Sequence, residues 1–163
     1  KIQNYATSSD DGSKPTPVAQ EFVDAGVTGS VTNLAKVNQA LAAKDAGDVD
    51  TTIEVQAIVD SVNTLEAYLA DAAVPKTAPK PTVDDLTNAG LKDVTATNLD
   101  DALAKLDDPA TDTTTLEKMK DAVGIVNDAL AKRLRCKRFR VTRQLMVKQL
   151  HLFLLLKTLS MQA

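Results

Sequence analysis

The strongest constraint on this chain is that it repeats itself. Ile2 and Tyr5 recur as Leu65 and Tyr68, Pro15 and Pro17 as Pro79 and Pro81, and Phe22 as Leu86. Ala25-Gly26 returns as Ala89-Gly90 and Asn33-Leu34 as Asn98-Leu99. Thr51-Thr52-Ile53-Glu54 returns as Thr114-Thr115-Leu116-Glu117, and Val62-Asn63 as Val126-Asn127. The offset stays between 63 and 65 residues throughout. A fixed period of this length is the signature of a copied supersecondary unit, and each unit then needs a core of its own or a neighbour to lean on.

Each copy reads as three helices. The first runs from Pro17 to Ala25, and again from about Thr82 to Ala89. Proline suits a first helical turn, whose amides have no partner within the helix. Gly26 and Gly90 suit left-handed helix stops. The second helix follows Thr32, with Leu34, Val37 and Leu41 on one face, and recurs after Thr97 with Leu99, Leu103 and Leu106. Thr97 and Asp100 have the spacing of a capping pair.

The third helix is the longest. Thr51-x-x-Glu54 and Thr114-x-x-Glu117 are capping-box patterns, in which each residue satisfies the other's orphan amide. Val55, Ile58, Val59, Val62, Leu65 and Leu69 follow at spacings of three and four, as do Leu116, Met119, Val123, Val126 and Leu130. No stretch alternates as a strand would. The expected fold is all-α, built of tandem small three-helix bundles. One core should hold Phe22, Leu34, Val37, Val55, Ile58, Val59 and Val62, the other Leu86, Leu99, Leu103, Met119, Val123 and Val126.

The pattern divides the chain into residues 1–14 (the end of a preceding repeat and a linker), 15–78 (a first repeat with its linker), 79–132 (a second repeat) and 133–163 (a tail). The opening Lys-Ile-Gln-Asn-Tyr suggests a fragment of something longer. A bundle of about 55 residues is near the lower limit for independent folding, so neighbouring repeats of the same chain are expected partners. The linker Val-Pro-Lys-Thr-Ala-Pro-Lys-Pro at residues 74–81 should be extended and stiff.

Charge separates body from tail. Residues 1–132 hold eleven lysines, no arginine and all 22 acidic residues, a net of −11. Residues 133–163 hold eight basic residues and no acidic one. The acidic body should repel nucleic acid and anionic membrane. Its core must be aliphatic, because aromatic residues make up only 3% of the chain and tryptophan is absent.

The strings at residues 18–29, 33–38 (Asn-Leu-Ala-Lys-Val-Asn) and 48–60 (Asp-Val-Asp-Thr-Thr-Ile-Glu-Val-Gln-Ala-Ile-Val-Asp) resemble the short helical repeats of giant Gram-negative surface proteins, the haemagglutinin- or RTX-like adhesins. The resemblance covers residues 1–132 and is clearer in the first copy. It implies an extracellular, structural or adhesive module acting as spacer or stalk. The alternative is a three-helix binding module for a host or matrix protein; the resemblance to the albumin-binding bundles of Gram-positive surface proteins is weaker and topological only. No motif-defined site is carried over.

No catalytic, cofactor-binding or metal site is read from the residues. Asp45, Asp48 and Asp50, and again Asp107, Asp108 and Asp112, precede the third helix. Hard cations want such oxygens, but the spacing is not that of an EF-hand, and carboxylates there favour the helix's positive end. His151 has no acidic neighbour to orient it as a base. Tyr5 and Tyr68 recur at the junction, which favours packing. Cys136 is the only cysteine, so no disulfide or thiolate metal framework exists within the chain.

The tail abandons the repeat at Arg133. It could be a basic segment for membrane or nucleic acid, or a helix docking on the acidic body. Its longest unbroken apolar run, residues 152–156, is too short to span a bilayer, so no transmembrane segment is expected. A third reading accounts best for the abrupt change, namely translation out of frame. Codons for Ala, Asp, Glu, Gly and Val begin with G, and one frame away they yield Gln, Leu, Arg, Met, Thr, Lys and Val. Read back, residues 141–149 permit Asp-Ala-Ala-Ala-Asp-Gly-Glu-Ala, which is body-like.

Overall fold

Helices are the regular structure of the chain, and no strand occurs among the described residues. The computed structural model describes residues 2–6 and 14–160, with side chains to residue 150. In order come α1 (Ile2–Tyr5), α2 (Ala19–Asp24), α3 (Leu34–Ala42), a 3₁₀ turn (Ala46–Asp48), α4 (Thr52–Ala70), α5 (Val83–Asn88), α6 (Leu99–Leu106) and α7 (Leu116–Ser160). Two units divide the chain, Lys1–Val126 and Asn127–Ala163.

Local chemistry explains the boundaries. Glu21 reaches back to accept from the Val18 amide at the start of α2. At its end, Gly26 takes φ +86, the Val27 amide donates to Phe22 O and the Gly26 amide to Val23 O. The same closure recurs after α5, where Gly90 has φ +95, Leu91 donates to Leu86 O and Gly90 to Thr87 O. This left-handed stop satisfies the last carbonyls of each helix. Thr51 caps α4 by accepting from the Glu54 amide, while the Glu54 carboxylate accepts from the Thr51 amide. Thr82 and Asp85 form the same box on α5.

Two capping expectations fail. Thr114 donates to Asp112 instead of closing a box with Glu117. Thr115 accepts from the Lys118 amide, one residue later than the sequence pattern suggests. Thr97 is likewise no cap for Asp100; the residue before α6 is Asn98, whose side chain holds the Thr95 amide and Asp93 O.

The first unit has one core, not the two the sequence suggests. Phe22, Val37, Leu41, Ile58, Val59 and Leu65 belong to the same buried cluster as Leu86, Leu91, Leu103, Met119 and Val123. Leu34 and Leu99 pack against its edge, half-buried. α4 lies against both α3 and α5, and α1 against α3. Each fully buried Leu, Phe or Met side chain supplies about 1.5–3 kcal/mol, so pooling the two apolar sets is what a short aliphatic sequence gains by docking its halves.

The linker after α4 is not an extended rod. Asp71 gathers it into a loop, its carboxylate accepting from the amides of Ala73 (2.9 Å), Thr77 (2.5 Å) and Ala78 (2.7 Å). Lys76 folds back to donate to Tyr68 O at 2.9 Å, closing the end of α4. Lys14 does the same to Ala6 O, at 3.0 Å, after α1. Most of the first linker, residues 7–13, lies outside the described residues.

In the second unit, residues 132–150 of α7 are exposed along their whole length. Leu134, Phe139, Val141, Leu145, Met146, Val147 and Leu150 are all more than half exposed. Their spacing puts apolar groups on opposite sides of the helix, unlike the one-sided stripe of α4.

Candidate functional site

The most organised contact surface in the chain is the seam between residues 15–78 and residues 79–126. Gln39, on α3, accepts through Oε1 from the Leu116 amide at 2.9 Å, where the start of α7 would otherwise lack a partner. Lys44 donates to Thr87 O at 3.3 Å. Burial holds the Lys44 ammonium below its ordinary pKa, and repulsion from Lys92 adds to this. Ser61, buried on α4, donates to the Asp85 carboxylate at 3.3 Å. Gly90 sits close beneath the seam: a Cβ there would lie 2.8 Å from Leu116 Cδ2 and 3.6 Å from Ala40 Cα. The backbone can approach this closely only because the residue is glycine.

A second set of contacts ties the linker down. Lys76 pairs with Asp107 at 2.8 Å and lies 4.8 Å from the Tyr68 ring centroid. Lys80 pairs with Asp100, which raises the lysine above its usual value. Tyr5 is fully buried and Tyr68 half-buried, consistent with their reading as packing residues. Neither Gln39 nor Asp71 stands out in the sequence. Asp71 had one usable signal, a carboxylate just ahead of a Pro-rich turn, the setting of an Asx turn.

The acidic loops divide their carboxylates among separate partners. Asp108 accepts from the Ala110 amide and from Lys105, which hold it below the ordinary carboxylate range. Asp112 is held lower still by Lys118, by the Thr114 hydroxyl and by the Thr114 amide. In the first loop, a shared hydrogen bond with Glu54 raises Asp50, and the neighbouring charge adds to it. No group of three His, Cys, Asp or Glu side chains able to hold a metal ion occurs among the described residues. The His151 side chain lies outside them, and Cys136 is exposed on α7.

An open cleft of about 380 Å³ lies beside the start of α4, lined in part by Ile2, Ala25, Asp50, Thr52 and Val55. No helix among the described residues is long and apolar enough to cross a membrane. Comparison with family models, curated proteins and solved structures finds no match to this chain.

Proposed function

We propose that residues 15–78 and 79–132 are tandem copies of one helical repeat, and that such copies form a non-enzymatic spacer or stalk in a large bacterial surface protein. The observation that carries this reading is the kind of seam between the halves. It joins unlike surfaces: α4 of one half packs on α5 of the next, while Gln39 on α3 and Lys44 just beyond it reach the start of α7 and the end of α5. A seam of unlike faces leaves each copy with one used and one unused face, so the same contact can recur head to tail without closing. Symmetric seams would stop at two.

The recurring residues support the same reading. They are helix stops, turn prolines and aliphatic core, the parts a copied scaffold must keep, whereas a copied active site would keep nucleophiles, bases or ligands. The packed seam replaces the stiff linker as the element that sets the spacing. The acidic surface keeps successive copies soluble and gives no purchase for nucleic acid. Residues 133–163 stand outside the repeat, as an out-of-frame reading of its continuation, and sequencing the coding DNA on either side of Lys132 tests that directly.

Small-angle scattering from chains of two, four and six copies tests the array. The maximum dimension should grow by a constant increment per copy while the cross-section stays fixed. Growth in all dimensions together would refute it.

A further inference from the structure

Residues that correspond across the two halves differ in burial on one face, and the difference marks an unfilled contact. Ala89 and Gly90 are buried and Thr87 is half-buried, all beside the seam. Their counterparts in the first half, Ala25, Gly26 and Val23, are exposed, Val23 by 56%. Leu116 is 3% exposed and Ile53, its counterpart, 81%. Phe22 and Leu86 are both fully buried, so the two faces differ only where the neighbouring half covers one of them.

We infer that the face formed by Val23, Ala25, Gly26 and Ile53 is the docking surface for a further copy of this repeat, joined in tandem ahead of the first. The inference rests on the array reading above and names the surface it uses. The occupant is specified by the seam already present: it is the face that carries Gln39, Ala40 and Lys44 in the first half. Chain direction agrees. α1 corresponds to the stretch of α4 around Leu65 and Tyr68, the final turns of a repeat's third helix, and it is seated against α3 with Ile2 lining the cleft. A repeat entering through α1 is thereby led to this face.

Charge agrees too. In the existing seam Lys44 reaches Thr87 O, next to the neutral Asn88. In the first half the equivalent of Asn88 is Asp24, which with Glu21 and Asp50 lines the cleft. An incoming lysine at that position meets Asp24 and Asp50 where the second half has Asn88 and Thr113, whereas Glu21 already has a carboxylate counterpart in Asp85. Here Thr52 donates to Ala25 O at 2.8 Å, and its methyl would lie 3.5 Å from a Cβ added at Gly26.

The test uses the whole chain, alone and extended by a duplicate of residues 2–64 placed ahead of Ile2, which preserves the period. In the chain alone, Ile53→Asp should leave the unfolding midpoint unchanged while Leu116→Asp lowers it. In the extended chain both should lower it, and exchange of the Ile53 amide should slow roughly five- to tenfold as it gains an acceptor equivalent to Gln39 Oε1. If Ile53→Asp stays silent and its amide unprotected in the extended chain, the surface is wrongly assigned. If Ile53 becomes protected in the unextended protein as concentration rises, the occupant is a second molecule and the tandem assignment fails. Scattering on the same extended chain separates this from the array itself: elongation with an exposed Ile53 overturns the surface only, and no elongation overturns the array.

Discussion

Replacing Gly90 and Gly26 in turn by alanine isolates the close approach at the seam. Both glycines hold positive φ, +95 and +86, so each alanine incurs the left-handed penalty of about 1–2 kcal/mol. At Gly26 the added methyl meets only the Thr52 side chain at an ordinary 3.5 Å. At Gly90 it would stand 2.8 Å from Leu116 Cδ2, with Ala40 Cα at 3.6 Å behind it. Leu116 is buried, so it can yield only by disturbing packed neighbours, which costs about 1–3 kcal/mol more. Gly26→Ala should therefore destabilise by about 1–2 kcal/mol and Gly90→Ala by about 2–5 kcal/mol. For a folded unit the length of Lys1–Val126, each kcal/mol is roughly 4 °C of unfolding midpoint, which puts the two variants about 4–12 °C apart. Thermal and urea unfolding followed by circular dichroism read the difference. Leu116→Ala should recover part of the Gly90→Ala loss in a double-mutant cycle and none of the Gly26→Ala loss. Equal midpoints for the two glycine variants would refute the close approach.

Capping gives a second check: Thr51→Ala and Thr115→Ala should each cost about 1 kcal/mol in urea unfolding, and Thr114→Ala clearly less. Were Thr114 the costlier of the last pair, the cap would sit where the sequence pattern put it. Asp71 gives a pH dependence. Three backbone amides hold its carboxyl well below the ordinary range, led by that of Ala78. Its contribution to stability is present above the ordinary carboxylate pKa of about 4 and is lost as pH falls through the lower folded value. Asp71→Asn, which loses an acceptor and gains donors facing those amides, should lower the midpoint at pH 7. The gap to the parent should shrink as pH falls below about 4 and should not shrink as pH rises.

Much of the architecture was legible because it is local. Helical spacing placed α3, α4 and α6, glycine placed the stops after α2 and α5, and Thr51-x-x-Glu54 placed the start of α4. What escaped the sequence is tertiary. The Thr114-Thr115 doublet offers two caps, and the choice falls to Thr115 where Leu116 is buried over Gly90 and its amide is held by Gln39, 77 residues away. The linker's prolines suggest an extended rod, yet the Asp71 carboxylate collects three amides and bends it. The single core was hidden for a related reason: each half shows enough apolar residues for a stripe, and a stripe does not say which stripe it will meet. The counterparts Ile53 and Leu116 look alike in sequence and differ completely in burial, because the difference belongs to the neighbour.

The claim that the two halves share one core is tested most directly by residue-resolved hydrogen exchange on the whole chain, parent against Leu86→Ala. Leu86 is fully buried on α5, and its truncation should cost about 2–5 kcal/mol. If the core is shared, the most protected amides of α3 and α4 should lose protection as much as those of α6 and the first turns of α7. Loss of protection confined to residues 79–126, with α3 and α4 unchanged, would show two independent bundles and contradict the account.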